Sequence, residues 1–182
     1  MRKFIDILTE MWGGPRGLEV LSMPASEITP HVIDAKIATG ESFSADDEGE
    51  FEQVVTNDQA ELQKLIAYDN TIDLYRAISV DQAFIDNLKP GTNLGIYWSH
   101  HPNGAFAYDG VHDLVLVISA NVDAEDVDWI TTLAVQDAAE AEIRLFPGTN
   151  LNVFELHVQQ GRYSREKRQP VRRDLWGESF KS

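Results

Sequence analysis

The sequence contains no cysteine, which excludes disulfide bonds, a catalytic thiolate and a zinc site with cysteine ligands. It has no apolar run long enough to span a membrane, and Asp6 and Glu10 interrupt the N-terminal residues too early for a signal peptide. Neither of the common Gly-rich phosphate loops occurs, which argues against Rossmann and P-loop nucleotide sites. These absences predict a cytoplasmic protein that does not depend on thiol chemistry.

Basic residues are also scarce, with 15 Lys and Arg against 30 Asp and Glu and a formal net charge of −15. Residues 161–182 contain seven Lys and Arg and three Asp and Glu, a net charge of +4, so residues 1–160 carry −19. A field of this sign repels nucleic acid and attracts basic partners. An excess of charge that serves solubility alone would look the same.

The length of 182 residues and the hydrophobic content of 43% predict one globular domain. Alternating or apolar runs predict five strands, at 71–78, 93–99, 114–118, 139–145 and 151–158. Helices are predicted mainly before residue 70: one starts at Thr29-Pro30, another covers 58–68, and the acidic stretch 41–52 is a connection. We predict an α+β fold with a helical and acidic extension (1–56), a core (57–160) and a basic C-terminal tail (161–182), of which residues 161–173 are solvated.

Two of the predicted strands carry unusual charges. Arg76 is the one charged residue on the otherwise apolar face of its strand, so it needs an anion, either a protein carboxylate or a ligand phosphate. In the strand that precedes Pro147-Gly148, period-2 alternation directs Glu140, Glu142 and Arg144 to one side. A charged edge strand that deters pairing with other chains would also explain this second pattern.

In chain order, Leu74-Tyr75-Arg76-Ala77, Tyr97-Trp98-Ser99 and Glu140-Ala141-Glu142 followed by Pro147-Gly148-Thr149 form a pattern over residues 57–158. This pattern resembles the mono-ADP-ribosyltransferases of the Arg–Ser–Glu class, in their toxin-like, phage-encoded branch. The resemblance implies a fold of two small packed β-sheets that form a cleft. It also implies a glycosyltransferase activity that uses NAD as substrate, needs no metal, and modifies a basic host protein, with arginine as the acceptor.

The same resemblance assigns a role to each matching residue. Glu142 would be catalytic and would hydrogen-bond the ribose 2-hydroxyl, while Glu140 would hold the incoming guanidinium. The NAD-binding residues would be Arg76 on the phosphate side, Ser99 and Tyr97 at the end of their strand, and Phe106 against the nicotinamide ring. Ordinary core packing explains Phe106 equally well. The sequence departs from the family at Tyr97-Trp98-Ser99, where a Ser-Thr-Ser-like motif is usual, so only the last serine carries over.

Several alternatives stay open. Water could replace the acceptor, which would make the protein an NAD glycohydrolase. A second class of function is an acidic decoy that occupies a host nucleic-acid-binding protein, and a third is a non-catalytic structural or virion component of the same fold. His100, His101 and His112 could suggest a metal site, but adjacent histidines on an extended segment point apart and no carboxylate has matching spacing.

Overall fold

The structure, a computed structural model, describes residues 14–40, 43–44, 48–102, 114–136, 141–160 and 168–182. The described helices are α1 (Glu19–Ser22), α2 (Ala25–Ala38), α3 (Glu48–Gln63), α4 (Gln82–Asp86) and α5 (Trp129–Ala134). The strands are β1 (Thr71–Val80), β2 (Tyr97–Ser99), β3 (Leu114–Asp123), β4 (Glu142–Arg144), β5 (Asn150–Gln160), β6 (Gln169–Pro170) and β7 (Glu178–Lys181). Among these residues no helix has the length and apolar character needed to cross a membrane.

The seven strands form one antiparallel sheet of order β4-β2-β1-β3-β5, in which both β6 and β7 pair with β5. The predicted α+β class is therefore confirmed. The prediction of two small packed sheets is wrong for the described residues, because β1 and β3 pair along all ten of their residues and leave no break between two halves. Long antiparallel pairing of this kind follows from the alternating and β-branched sequences of both strands.

The sheet curls back on itself through the segment that leads into β2. The N–H groups of Gly91 and Leu94 donate to the carbonyls of Ser179 and Lys181 in β7, at 2.8 and 2.7 Å, and the Lys181 N–H donates to Thr92 at 3.1 Å. Residues 91–94 lead into β2, and β2 pairs with β1. Strand pairing therefore runs from β2 through β1, β3, β5 and β7 and returns to the segment that precedes β2. We call this path the closed ring.

One hydrophobic core joins the concave side of the sheet to the helices. On β1 the core side carries Ile72 and Leu74, and on β3 it carries Leu116 and Ile118, all at most 1% exposed. Trp129 at the start of α5 is also buried, and its indole N–H donates to the Ala124 carbonyl at 2.9 Å. The other side of the sheet is more polar, so alternation along each strand separates two different faces.

Two helix predictions are corrected. Helix α2 begins at Ala25 rather than at Thr29, with Pro30 inside it, because Ile28 and Val32 continue its buried face toward the N-terminus. Helix α3 begins at Glu48, so part of the expected acidic connection is helical and the boundary at 56/57 falls inside a helix. The helix is anchored by Val55, which is 1% exposed, and by Gln59, whose amide donates to backbone carbonyls of α1 and the residue after it.

The part of the basic C-terminal tail (161–182) that the structure describes contributes two strands to the sheet, β6 and β7. Strand β7 pairs with β5, and Phe180 in β7 is fully buried. Arg172 donates to the carbonyls of Ile85, Asp86 and Leu88 at the end of α4. Lys181 likewise has a structural partner, since it donates to the Gly148 carbonyl at 3.3 Å.

Gly95 joins the closed ring to β2 and can be tested by substitution. It has φ +85°, and a Cβ there would lie 2.8 Å from Nη1 and 2.9 Å from Cζ of Arg76. We expect Gly95→Ala to lower the free energy of unfolding by about 1–2 kcal/mol for the left-handed backbone, with a further loss from displacing Arg76.

The matched control is Gly91→Ala, because Gly91 has φ +81° but no atom within 4 Å of its added Cβ. Urea denaturation of both variants separates the backbone effect, which they share, from the displacement of Arg76. Equal losses in the two variants would contradict a close contact between Gly95 and Arg76.

Candidate functional site

A row of five residues crosses the polar face of the sheet from β4 to β5. The strand registers place Glu142 opposite Ser99, Ser99 opposite Tyr75, Tyr75 opposite Ser119, and Ser119 opposite Glu155. Residues that are directly opposite in antiparallel strands project to the same face, about 4.5–5.5 Å apart. The row therefore has a carboxylate at each end and three hydroxyl groups between them.

Glu142 and Ser99 are the two predicted site residues that the structure brings together. Both lie in short strands, Glu142 is half-buried and Ser99 is 4% exposed. The Ser99 hydroxyl is held by the backbone of His101, whose N–H donates to it at 3.0 Å and whose carbonyl accepts from it at 2.9 Å. This local turn fixes the hydroxyl at the point where β2 ends.

The residue before Glu142 corrects the predicted strand. Ala141 has φ +51°, a left-handed conformation that costs a non-glycine residue about 1–2 kcal/mol. Strand β4 consequently begins at Glu142, and the alternation that was expected to align Glu140 with Glu142 does not pass through Ala141. Glu140 itself lies outside the described residues, as does Phe106, so their predicted roles stay predictions.

Arg76 lies on the other side of the sheet from Glu142 and Ser99. It follows Tyr75 and shares its side of β1 with Ile72 and Leu74, which are core residues. Its guanidinium donates to the Tyr97 carbonyl, and Cζ lies 5.9 Å from the centre of the Trp98 ring. The predicted convergence of Arg76, Ser99 and Glu142 on one cleft is therefore not present, and Arg76 has a structural role at the edge of the core.

Tyr97 lies on the same side of β2 as Ser99, and 39% of it is exposed. Arg144 pairs with it across the two strands, and the Arg144 Cζ lies 5.5 Å from the centre of the Tyr97 ring. Arg144 thus places a positive charge on the side of the sheet that carries Glu142. The sequence analysis assigned it no role, although its position two residues after Glu142 indicates a shared face.

A cavity of about 490 Å³ opens beside these residues, and we call it the Arg144 pocket. Its size falls within the range of small-molecule sites, about 300–1,000 Å³. Its lining joins cationic and aromatic side chains from the residues before α1 and from α2, α5, β2 and the β4 region: Arg16, His31, Tyr97, Trp129, Arg144 and Phe146. Among the described residues of that lining, Asp128 is the one carboxylate. Glu142 and Ser99 lie outside the lining, at the next positions along the same face.

A second, smaller cavity of about 220 Å³ lies between β1 and the turn after α3 and is lined in part by Asp73, Tyr75 and His100. Burial lowers the pKa of His100, and the charge of His101 lowers it further. Burial, Asp73 and Glu155 together raise the pKa of Tyr75. Both pKa shifts favour the neutral forms of His100 and Tyr75, which lie beside the carboxylate of Asp73 in this cavity. The described residues contain no group of three or more His, Asp or Glu that could hold a metal ion.

The lowered pKa of His100 predicts a pH-dependent stability. Because the unfolded chain keeps a histidine pKa near the usual value of about 6.5, it binds more protons than the folded chain as the pH falls below that value. The contribution of His100 to stability is therefore present above about pH 6.5 and is lost below it. We expect His100→Gln to reduce the fall in free energy of unfolding between pH 7.5 and pH 5, as measured by urea denaturation. An identical fall in wild type and variant would contradict the burial of a neutral His100.

Comparisons with known proteins add no relative to this description. No family model matches the chain, and neither a curated protein nor a solved structure shows significant similarity to it. The facing pair Glu142 and Ser99, with the adjoining Arg144 pocket, is accordingly the basis for a functional proposal.

Proposed function

We propose that the protein is an NAD-dependent mono-ADP-ribosyltransferase in which Glu142 is the catalytic carboxylate. The observation that carries the proposal is that Glu142 and Ser99 face each other on neighbouring strands. The next pair on the same face, Arg144 and Tyr97, lines a pocket. Arg76, Ser99 and Glu142 also lie on three consecutive strands of the sheet, β1, β2 and β4. Arg76 is excluded from the proposed site because its side chain packs on Trp98.

The chemistry suits a carboxylate in this position. When the bond between nicotinamide and ribose C1 breaks, nicotinamide leaves as a neutral molecule with the electron pair of that bond. The ribose then resembles an oxocarbenium ion, and a carboxylate that accepts a hydrogen bond from the 2-hydroxyl stabilises the developing positive charge. A new bond from C1 to the acceptor nitrogen completes the transfer, and the acceptor releases one proton.

Ser99 would hold Glu142 in position and would not react itself. Its hydroxyl is nearly buried and is tied to the His101 backbone, so it forms a fixed wall beside Glu142 rather than a mobile nucleophile. The Ser99 hydroxyl already donates to the His101 carbonyl oxygen. A positioning role fits the way that rigid neighbours hold a reacting carboxylate in place.

The acceptor is proposed to be an arginine on a basic protein. The formal charge of −15 favours encounter with positively charged surfaces and disfavours nucleic acid as a direct partner. Glu140, which the resemblance assigns to the acceptor, remains part of this proposal as a prediction from the sequence. Hydrolysis of NAD in the absence of a protein acceptor would use the same site with water as the nucleophile.

The test is incubation of the protein with NAD radiolabelled on the adenylate phosphate and a cell lysate, followed by detection of labelled proteins. We expect Glu142→Gln to reduce labelling on the order of 100-fold or more, since it removes one charged group that acts in the transition state. The matched control is Glu155→Gln, which removes the same charge at the far end of the row on the same face. It should label to within about twofold of wild type, given that surface changes outside a site are commonly near neutral.

Two outcomes would overturn the proposal. Equal labelling by wild type and Glu142→Gln would remove Glu142 from the chemistry. No labelling and no nicotinamide release by the folded wild type would exclude the enzyme, and salt-sensitive capture of a nucleic-acid-binding protein would then favour the acidic decoy.

A further inference from the structure

Arg144 carries a positive charge that its protein neighbours compensate only in part. Its side chain is 17% exposed, and Nε is buried without a hydrogen-bond partner among the described residues. The nearest carboxylate oxygen, Oδ2 of Asp128, is 3.8 Å from Nε, which is beyond hydrogen-bond distance. Both Asp128 oxygens already accept hydrogen bonds from Thr131, at 3.2 Å from its N–H and 2.8 Å from its hydroxyl. A buried guanidinium in this condition favours a further anion.

Two positively charged side chains line the Arg144 pocket, although the protein as a whole is acidic. Two guanidinium groups line it, and each lies over an aromatic ring: Arg144 over Tyr97 at 5.5 Å and Arg16 over Phe146 at 6.0 Å. His31 of α2 adds an imidazole to the lining. Among the described lining residues two arginines outnumber one carboxylate, in a chain with a formal charge of −15, and this excess favours an anionic ligand.

The lining also indicates which kind of anion fits. Guanidinium groups bind phosphate oxygens through paired hydrogen bonds, and aromatic rings stack on planar heterocycles. A ligand that combines the two, a nucleotide, uses both features of the pocket. Arg144 and Glu142 are two residues apart on one strand, so their Cα atoms lie about 6.5–7 Å apart on the same face.

We infer that the Arg144 pocket binds the phosphate groups of a nucleotide ligand through Arg144, with Arg16 at its rim, in the role that the sequence pattern gave to Arg76. This inference rests on the proposed function for the identity of the ligand as NAD. The inference gives a function to Arg144, which lies on the Glu142 side of the sheet. Arg76 then has only a structural role, through its contacts with Trp98 and the Tyr97 carbonyl. The pocket and Glu142 then form one continuous site along β4.

The test measures binding of ADP by isothermal titration calorimetry, because ADP has the phosphates and the adenine ring but no bond to nicotinamide. We expect Arg144→Gln to raise the dissociation constant by about 10-fold to 100-fold, the value of one or two hydrogen bonds to a charged group. Arg76→Gln should change it by less than about threefold, and the exposed Arg173→Gln is the matched control for loss of one positive charge. Circular dichroism and thermal melting report whether each variant is folded.

Arg16→Gln keeps the inference testable if Arg144→Gln does not fold, because Arg16 is exposed and its replacement leaves the core intact. It should weaken ADP binding several-fold, as expected for a partly solvated contact. Loss of binding in Arg76→Gln with no change in Arg144→Gln and Arg16→Gln would overturn the inference while the proposed transferase stands. ADP binding that depends on Arg144, together with no labelling from NAD, would support the pocket and reject the proposed chemistry. Failure of wild type to bind ADP or NAD would overturn the inference.

Discussion

The register of the central antiparallel strands is the constraint on which every assignment of a site depends. Tyr75 lies opposite both Ser99 and Ser119, so the face of Tyr75 is the face of the polar row. The next residue, Arg76, necessarily projects into the other side. A shift of one residue in this pairing would exchange the two faces and would turn a core arginine into a site arginine. The hydrophobic side chains of Ile72 and Leu74 oppose that shift, because it would expose them to solvent.

Once the faces are defined, the arginines separate into two sets. Arg76 at the Tyr97 carbonyl and Trp98, and Arg172 at the end of α4, lie against carbonyls and rings. Arg144, two residues after Glu142 on the same face of β4, lines a cavity instead. A protein with an excess of acidic residues thus has two arginines, Arg16 and Arg144, in the lining of one cavity.

The sequence predicted the long strands well because their signal is local. Alternation in β1 and a continuous apolar run in β3 suffice to define both, and the α+β class follows from them. The relation between Arg76 and Ser99 could not be predicted, since 22 intervening residues leave the register between β1 and β2 to tertiary pairing. Ala141 was misjudged for a related reason: alanine has no preference for φ +51°, so only the surrounding structure imposes that conformation. In β7 the apolar signal is one phenylalanine among polar residues, too weak to separate a buried strand from a tail.

The closed ring affects the order in which parts of the chain fold. Its seam joins residues 91–94 to residues 179–181, which are nearly half the chain apart in sequence. Contacts of such separation form slowly, because the entropy of closing the intervening loop is lost before the hydrogen bonds and the burial of Phe180 compensate for it. We therefore expect the seam to form late in folding and to stay open in a growing chain until residues 179–181 emerge. Until then the β5 edge and the core beneath it remain accessible to chaperones and to other unfinished chains.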